Sequence, residues 1–268
     1  YFLERSRPPH GECPAPQSEP RDLSRLCVFH AFDCLMQSVL VANLALESAR
    51  RGFGVLVADC GGADGHPVRS LVGSVSEDVS DDRFGRTGVR VSLYGLPPVV
   101  IRETAPDTSP SSRDGDEGPG GGDAPGKGRH IILVSAPGGI DCLAGTAGVG
   151  RMVVVSGGNE KDLLRCYAAL RLAAGTGCLR GACLVFDSVE NPARAEELYA
   201  RFGRHVEDRL PCVMAYGGIL VRDKMLERSI VESRPLVLFS ASSPSRDAIL
   251  HVCSRILGDV HPCAREGA

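Results

Sequence analysis

Apolar positions along this chain fall into two patterns: short unbroken runs, and longer stretches with helical spacing. Leu26–Phe29 is a short run, and Ser38–Arg51 follows with Val39, Ala42, Leu46 and Ala49 at three- and four-residue steps. Such spacing puts one apolar stripe along a helix, and Gly52 stands where a left-handed residue would close it. Val55–Asp59 reads as a strand buried on both faces. The second half repeats the scheme, with strands at Ile131–Val134, Met152–Val155, Ala182–Phe186 and Cys212–Ala215. Helices are predicted at Glu160–Ala173, Pro192–Asp208, Lys224–Glu232 and Pro244–Leu257, with an apolar run Leu236–Phe239 between the last two. Strands that lack an in–out alternation, each followed by a helix, predict an α/β fold of three layers, αβα. Its sheet is mostly parallel and doubly wound. Ligands on such sheets sit beyond the carboxyl ends of the strands. The tips at residues 30–38, 59–66, 135–142, 156–159 and 187–191 are therefore where chemistry is sought.

The remaining segments are less regular. Residues 60–88 are rich in Gly, Asp and Ser, with one helical turn at Pro67–Val72, and Val89–Tyr94 then reads as a strand. Residues 103–129 hold almost no apolar side chain, so nothing there offsets the entropy of ordering, and a disordered insertion is expected. Residues 1–22 and 259–268 read as a flexible arm and tail around a single domain at 23–258. No apolar run approaches the ~20 residues of a transmembrane helix, and the first residues carry no signal-peptide core. A cytoplasmic location is expected. A net charge of −3 and an aromatic fraction of 5% without Trp give no handle for nucleic acid. The eleven cysteines are scattered with no CxxC pair, which reads as buried free thiols in a reducing compartment.

The most informative stretch is LCVFHAFDCLMQSVLVANLAL at 26–46. A short strand, an eight-residue loop His30–Gln37 and a helix opening at Ser38 have the layout of a phosphate-binding loop. A phosphate cradle needs glycines, so that backbone N–H groups can close on the anion, and a lysine to neutralise it. This loop has neither. Phe32, Cys34, Leu35, Met36 and Gln37 stand there instead, and no lysine occurs anywhere between Leu26 and Val99.

From Leu26 to Leu257 the chain resembles the MinD/ParA family of deviant Walker P-loop ATPases, and within it the flagellar-number regulators FlhG/FleN. VLVANLALESARRGFGVLVAD is similar to the family's helix-then-strand text VNLAxALAxxGxxVLLxD. LVSAPGGI at 133–140 stands where the family has a strand ending in Asp-Thr-Pro, and VVVSGGNEKDLLRCYAALRL resembles its next strand and helix. GGILVRDKMLERSIVESRPLVLFSASSPSRDAILHVCSRIL resembles the closing region of FlhG, with RD, ERSIVESRP and SSPSRDAI in family order. The resemblance implies a P-loop NTPase fold and an ATP·Mg²⁺ site. Counting back from Asn43-Leu44-Ala45 places the family's early lysine on Phe32 and its later lysine on Gln37. The loop glycines become Asp33, Cys34 and Met36, and only the Mg²⁺-holding hydroxyl survives, as Ser38. The strand-end aspartates reduce to Asp59, followed by Gly61. The aspartate after the later strand becomes Ser135, and an adenine-reading Asn becomes Asp187.

Phosphoryl transfer is catalysed mainly by placed charge, so losing both lysines and two carboxylates predicts a pseudo-ATPase without hydrolysis. The expected role is a protein-binding regulator in a flagellar or polar-placement setting, with unidentified protein partners, no resident cofactor and no ATP-gated sandwich dimer. One alternative keeps residual ATP or ADP and Mg²⁺ binding at Ser38, Asp59, Ser135 and Asp187 without efficient turnover. Another builds a thiol-based metal or redox centre from Cys34, Cys60 and Cys142 near His30, His66 and Asp59. Ser38 is expected to cap its helix. Phe32, Leu35 and Met36 either plug the former cavity or form an exposed contact. The plug is favoured because large exposed apolar patches are unusual. The branch's partner-activating DQAxxLR motif is missing from residues 1–25, and GDVHPCAREGA after Leu257 is too short and polar to lie on lipid.

Overall fold

The computed structural model describes residues 23–59, 68–72, 76–81, 86–91, 99–103, 130–135 and 149–258. The flexible arm read at 1–22, the insertion beyond Glu103 up to 129 and the tail at 259–268 lie outside them. In chain order the elements are β1 (Leu23–His30), α1 (Cys34–Arg50), β2 (Gly54–Asp59), α2 (Val68–Leu71), β3 (Ser76–Asp81), β4 (Arg86–Val91), β5 (Val99–Glu103) and β6 (His130–Ser135). Then follow β7 (Arg151–Ser156), α3 (Glu160–Gly175), β8 (Gly181–Asp187), α4 (Pro192–Glu207), β9 (Val213–Leu220), α5 (Lys224–Val231) and α6 (Pro244–Gly258). The strands form one sheet in the order β3-β4-β5-β2-β6-β1-β7-β8-β9. From β5 to β9 every neighbouring pair is parallel, while β3–β4 and β4–β5 are antiparallel.

The unbroken apolar runs follow from burial on both faces. In β1, Leu26 and Val28 join a core beneath α1 and α6, while Cys27 and Phe29 join a second core beneath α3 and α4. In β7, Val153 and Val155 go to the first core and Met152 and Val154 to the second. Both faces need apolar side chains, so alternation vanishes from the sequence. The predicted α/β three-layer, mostly parallel architecture is what the chain adopts.

The boundaries differ where local signals are weak. SEDVSD of β3 offers only Val79 as an apolar residue, and the sequence reading leaves it irregular. β4 begins at Arg86 rather than Val89 and ends at Val91. β5, VVIRE, is not predicted because it sits between Pro97-Pro98 and the polar insertion, yet it pairs with β2 over five residues. β9 runs to Leu220, well past the predicted Ala215.

Asn43 ties distant parts together from inside the first core. Its side chain is buried, Nδ2 donates to the Val39 carbonyl at 2.7 Å, and Oδ1 accepts the Val237 N–H at 2.9 Å. The 3-10 turn Leu236–Leu238 is thereby pinned onto α1. Asn43→Ala strands that buried N–H. Urea unfolding is expected to show a stability loss of about 1–3 kcal/mol with an unchanged m-value.

Candidate functional site

At the carboxyl end of β1 the eight-residue loop is absent. The helix begins at Cys34, four residues earlier than predicted, and only Ala31–Asp33 separate it from β1. With no glycine at 34–37, Cys-Leu-Met-Gln completes a helical turn, a conformation these side chains adopt at little cost. Asp33 caps it: Oδ1 accepts the Met36 N–H at 3.0 Å, with Asp33 itself in an extended conformation. Ser38 is therefore not the cap. It lies in the second turn, fully buried.

The side chains of this extra turn occupy the space between α1 and the strand tips. Met36 is buried in the first core, and Leu35 packs against that core partly buried. Gln37 is fully buried, its Oε1 accepting the His30 N–H at 2.9 Å and its Nε2 donating to Ser135 Oγ at 3.2 Å. It stitches β1 to β6. On the far side of β6, Asp59 Oδ2 accepts the Val68 N–H at 2.7 Å and holds α2 to the end of β2. Ser38, Gln37, Asp59 and Ser135 are thus all buried at this end of the sheet.

Asp187, at the end of β8, is the hub of a second cluster. Its side chain is fully buried. Oδ2 receives His30 Nε2 at 3.2 Å and Arg222 Nη2 in a short contact, while Oδ1 accepts from Arg222 Nε at 3.1 Å and Ser188 Oγ at 2.8 Å. Arg222 Nη2 also donates to Asp33 Oδ2 at 2.7 Å, so one guanidinium joins the cap of α1 to the tip of β8. His30 Nδ1 accepts the Asp33 N–H at 3.1 Å, which assigns the ring proton to Nε2, facing Asp187. Burial alone would push the Asp187 carboxyl up. Hydrogen bonds from His30, Arg222 and Ser188, with the charge of Arg222, outweigh it and hold the group well below the usual carboxylate range. Asp187, in turn, holds the Arg222 guanidinium firmly charged. Ser188 takes φ 61°, uncommon for a residue other than glycine, and places its hydroxyl on Asp187.

Sequence reasoning passes over Arg222, because the tip of β9 is not among the tips it singles out. The signal was available, since the strand-tip rule applies equally to β9 and a charged Arg-Asp pair follows it. That neighbour, Asp223, caps α5 through the Met225 and Leu226 N–H groups and also accepts from the Ser245 N–H and hydroxyl. The Arg222-Asp223 pair therefore links the strand tips to the starts of α5 and α6.

Phe32 does not plug the site. It is 46% exposed and stands edge-on to His30, with centroids 4.5 Å apart. Gly157 makes room for it: a Cβ there would lie 2.9 Å from Phe32 Cε1. The three apolar residues therefore divide, with Met36 inward, Leu35 between and Phe32 outward. Cys34 is half-buried, and burial, reinforced by the charge of Asp33, pushes its thiol up. A thiol kept protonated is a poor nucleophile and a poor metal ligand. Cys60, His66 and Cys142 lie outside the described residues. Among the described residues no three His, Cys, Asp or Glu side chains gather into a metal set. No helix among them is long and apolar enough to cross a membrane.

No protein-family model matches the chain, and no curated protein matches it in sequence. Solved structures do match in fold. The cell-division ATPase MinD of Pyrococcus furiosus superposes with a TM-score of 0.61 at 12% identity, over 88% of this chain and 98% of that one. MinD of Pyrococcus horikoshii, complexed with Mg-ADP, gives 0.60 at 11% identity over 89% and 99%. A ParA-family ATPase of Chlorobium tepidum gives 0.55 at 12% identity over 88% and 99%. The fold is that of the MinD and ParA P-loop ATPases.

The Asp187–Arg222 pair makes stability depend on pH in a definite sense. The folded-state carboxyl lies below its unfolded value of about 4, so its contribution is full above that pH and fades as pH falls toward the folded value. Arg222→Met removes the charged partner. It is expected to cost about 2 kcal/mol at neutral pH, less than a fully buried pair would lose because the Arg222 side chain is 43% exposed. Urea unfolding of both proteins should show that gap narrowing as pH is lowered from 7 to about 3.

Proposed function

We propose that this chain is a catalytically silent protein on the MinD/ParA fold, of the FlhG-like kind, acting by binding other proteins rather than by hydrolysing ATP. The observation that carries the reading is the helical turn Cys34–Gln37, which stands where a glycine-rich loop would have to wrap a triphosphate. Backbone N–H groups in an α-helical turn point along the axis and cannot encircle an anion as a nest of loop amides does. At the start of α1 the Met36 N–H already has an anion, the carboxylate of Asp33. Of the cations at this end, Arg222 is engaged by two carboxylates of the same chain, and Arg165 donates to the Ala31 carbonyl at 2.9 Å. An incoming phosphate would meet Asp33 first and be repelled.

The substitutions at the other family positions agree. Gln37, in the place of the later lysine, is neutral and has its amide committed to His30 and Ser135. Phe32, in the place of the early lysine, offers a half-exposed ring to solvent, suited to apolar contact with a partner and unsuited to reaching a nucleotide across a dimer. An ATP-gated sandwich dimer is accordingly not proposed. The flagellar or polar-placement setting rests on the likeness of residues 217–257 to the closing region of FlhG.

Isothermal titration of the purified chain with ATP and Mg²⁺ is expected to give no saturable heat below the millimolar range, and a phosphate-release assay no turnover. Micromolar affinity without turnover would replace this reading with that of a residual nucleotide binder.

A further inference from the structure

Helix α3 turns Cys166, Ala169, Leu170 and Ala173 onto the sheet, where they are buried in the second core. Its outer face is apolar as well. Leu164 is 61% exposed and Leu172 37%, with the half-buried Ala168 midway between them at four-residue steps. That spacing lays the three along one stripe. Two large exposed aliphatic side chains on one stripe differ from the scattered single ones of an ordinary surface. Around Ala168 the face recedes into a shallow depression lined by Tyr167, Ala168, Arg171, Leu172 and Gly175. Ala168 and Gly175 are small enough to let another backbone come close.

The stripe is bordered by cations. Lys161, Arg165 and Arg171 are exposed on the outer side of the helix, against one exposed carboxylate, Glu160 at its first residue. Asp162 is buried and bound to Asn159. Arg165 donates to the Ala31 carbonyl at 2.9 Å, and among the described residues no carboxylate pairs with Lys161, Arg165 or Arg171. Positive charge therefore stands beside apolar surface without a counter-charge from the described part of the chain.

We propose that the outer face of α3 is a docking surface for an amphipathic helix of another protein, apolar along one stripe and edged with Asp or Glu. The charges decide the occupant. In a two-fold pairing with a second copy each face meets itself, so cations would oppose cations. An anionic lipid surface would satisfy the cations, but it takes up protruding apolar side chains, and here the apolar centre recedes. A partner of this kind deepens the protein-binding role proposed above and rests on it, but not on the loss of ATP binding.

The experiment titrates the chain into two labelled helical peptides of about 18 residues, followed by fluorescence anisotropy. Both carry the same leucine stripe; one is edged with Glu and the other with Lys. The native chain is expected to bind the Glu peptide at least about ten-fold more tightly, a preference that shrinks as salt is raised. Lys161→Glu combined with Arg171→Glu should reverse the preference, and Leu164→Asn should weaken the Glu peptide about five-fold. Hydrogen exchange of the Leu170 amide, on the buried side, should stay native in both variants. Should the double variant fail to fold, Arg171→Glu alone decides, by narrowing the preference. Vesicles of phosphatidylglycerol should leave the chain unbound. No saturable binding of the Glu peptide, equal affinities, a preference untouched by the charge reversals, or vesicle binding lost in Leu164→Asn would each overturn the proposal. Failure here leaves the ATP titration unaffected, and nucleotide binding there leaves α3 unaffected, so the two failures are told apart.

Discussion

A carboxylate with no access to water must be neutralised by its surroundings, and at Asp187 that requirement organises one whole end of the molecule. Its oxygens draw His30 from the end of β1, Ser188 from the turn after β8, and Arg222 from the end of β9. Arg222 then reaches Asp33, the residue that caps α1. Removing any one member leaves a buried charge or a helix start short of a partner. The strand tips are consequently cross-linked by the chain's own side chains.

The same economy extends across β1 to Gln37 and Ser135. In a phosphate-binding loop the backbone stays open because glycines permit it and because the ligand supplies the missing interactions. Here the segment closes into helix, Asp33 meets the Met36 and Gln37 N–H groups, and the Met36 and Gln37 side chains are buried. Hydrogen bonds between neutral buried groups contribute only about 1 kcal/mol each on balance, but leaving them unmade costs more. A ligand entering this region would have to break several of them and displace Met36 from the core. That energetic ordering is the physical content of the proposed loss of ATPase function.

Much of the fold was legible in the sequence. VLVAD and VVVS announce doubly buried strands, and the spacing of Val39, Ala42, Leu46 and Ala49 announces α1. Strands without such text were not legible: β3 has one apolar residue, and β5 is marked off by prolines that read as loop. The chemistry of the turn after β1 was legible as an absence, since no lysine or glycine stands between His30 and Gln37. Its geometry was not. The layout of the resembling family suggested a loop ending at Gln37, whereas the helix propensity of Cys34–Gln37 and the cap at Asp33 favoured an extra turn. Met36 turns inward while Phe32 stays outward, and sequence does not reveal the gap over Gly157 that accepts Phe32. The Asp187–Arg222–Asp33 bridge joins residues far apart in the chain, and only the shared sheet end makes them neighbours.

The central claim concerns what fills the end of β1, and a crystal of the chain soaked in ADP and Mg²⁺ examines it directly. The account predicts α1 starting at Cys34, Gln37 Oε1 on the His30 N–H, Arg222 between Asp33 and Asp187, and solvent alone beside residues 32–38. Density for a diphosphate against those residues, with the first turn of α1 unwound to receive it, would contradict the account.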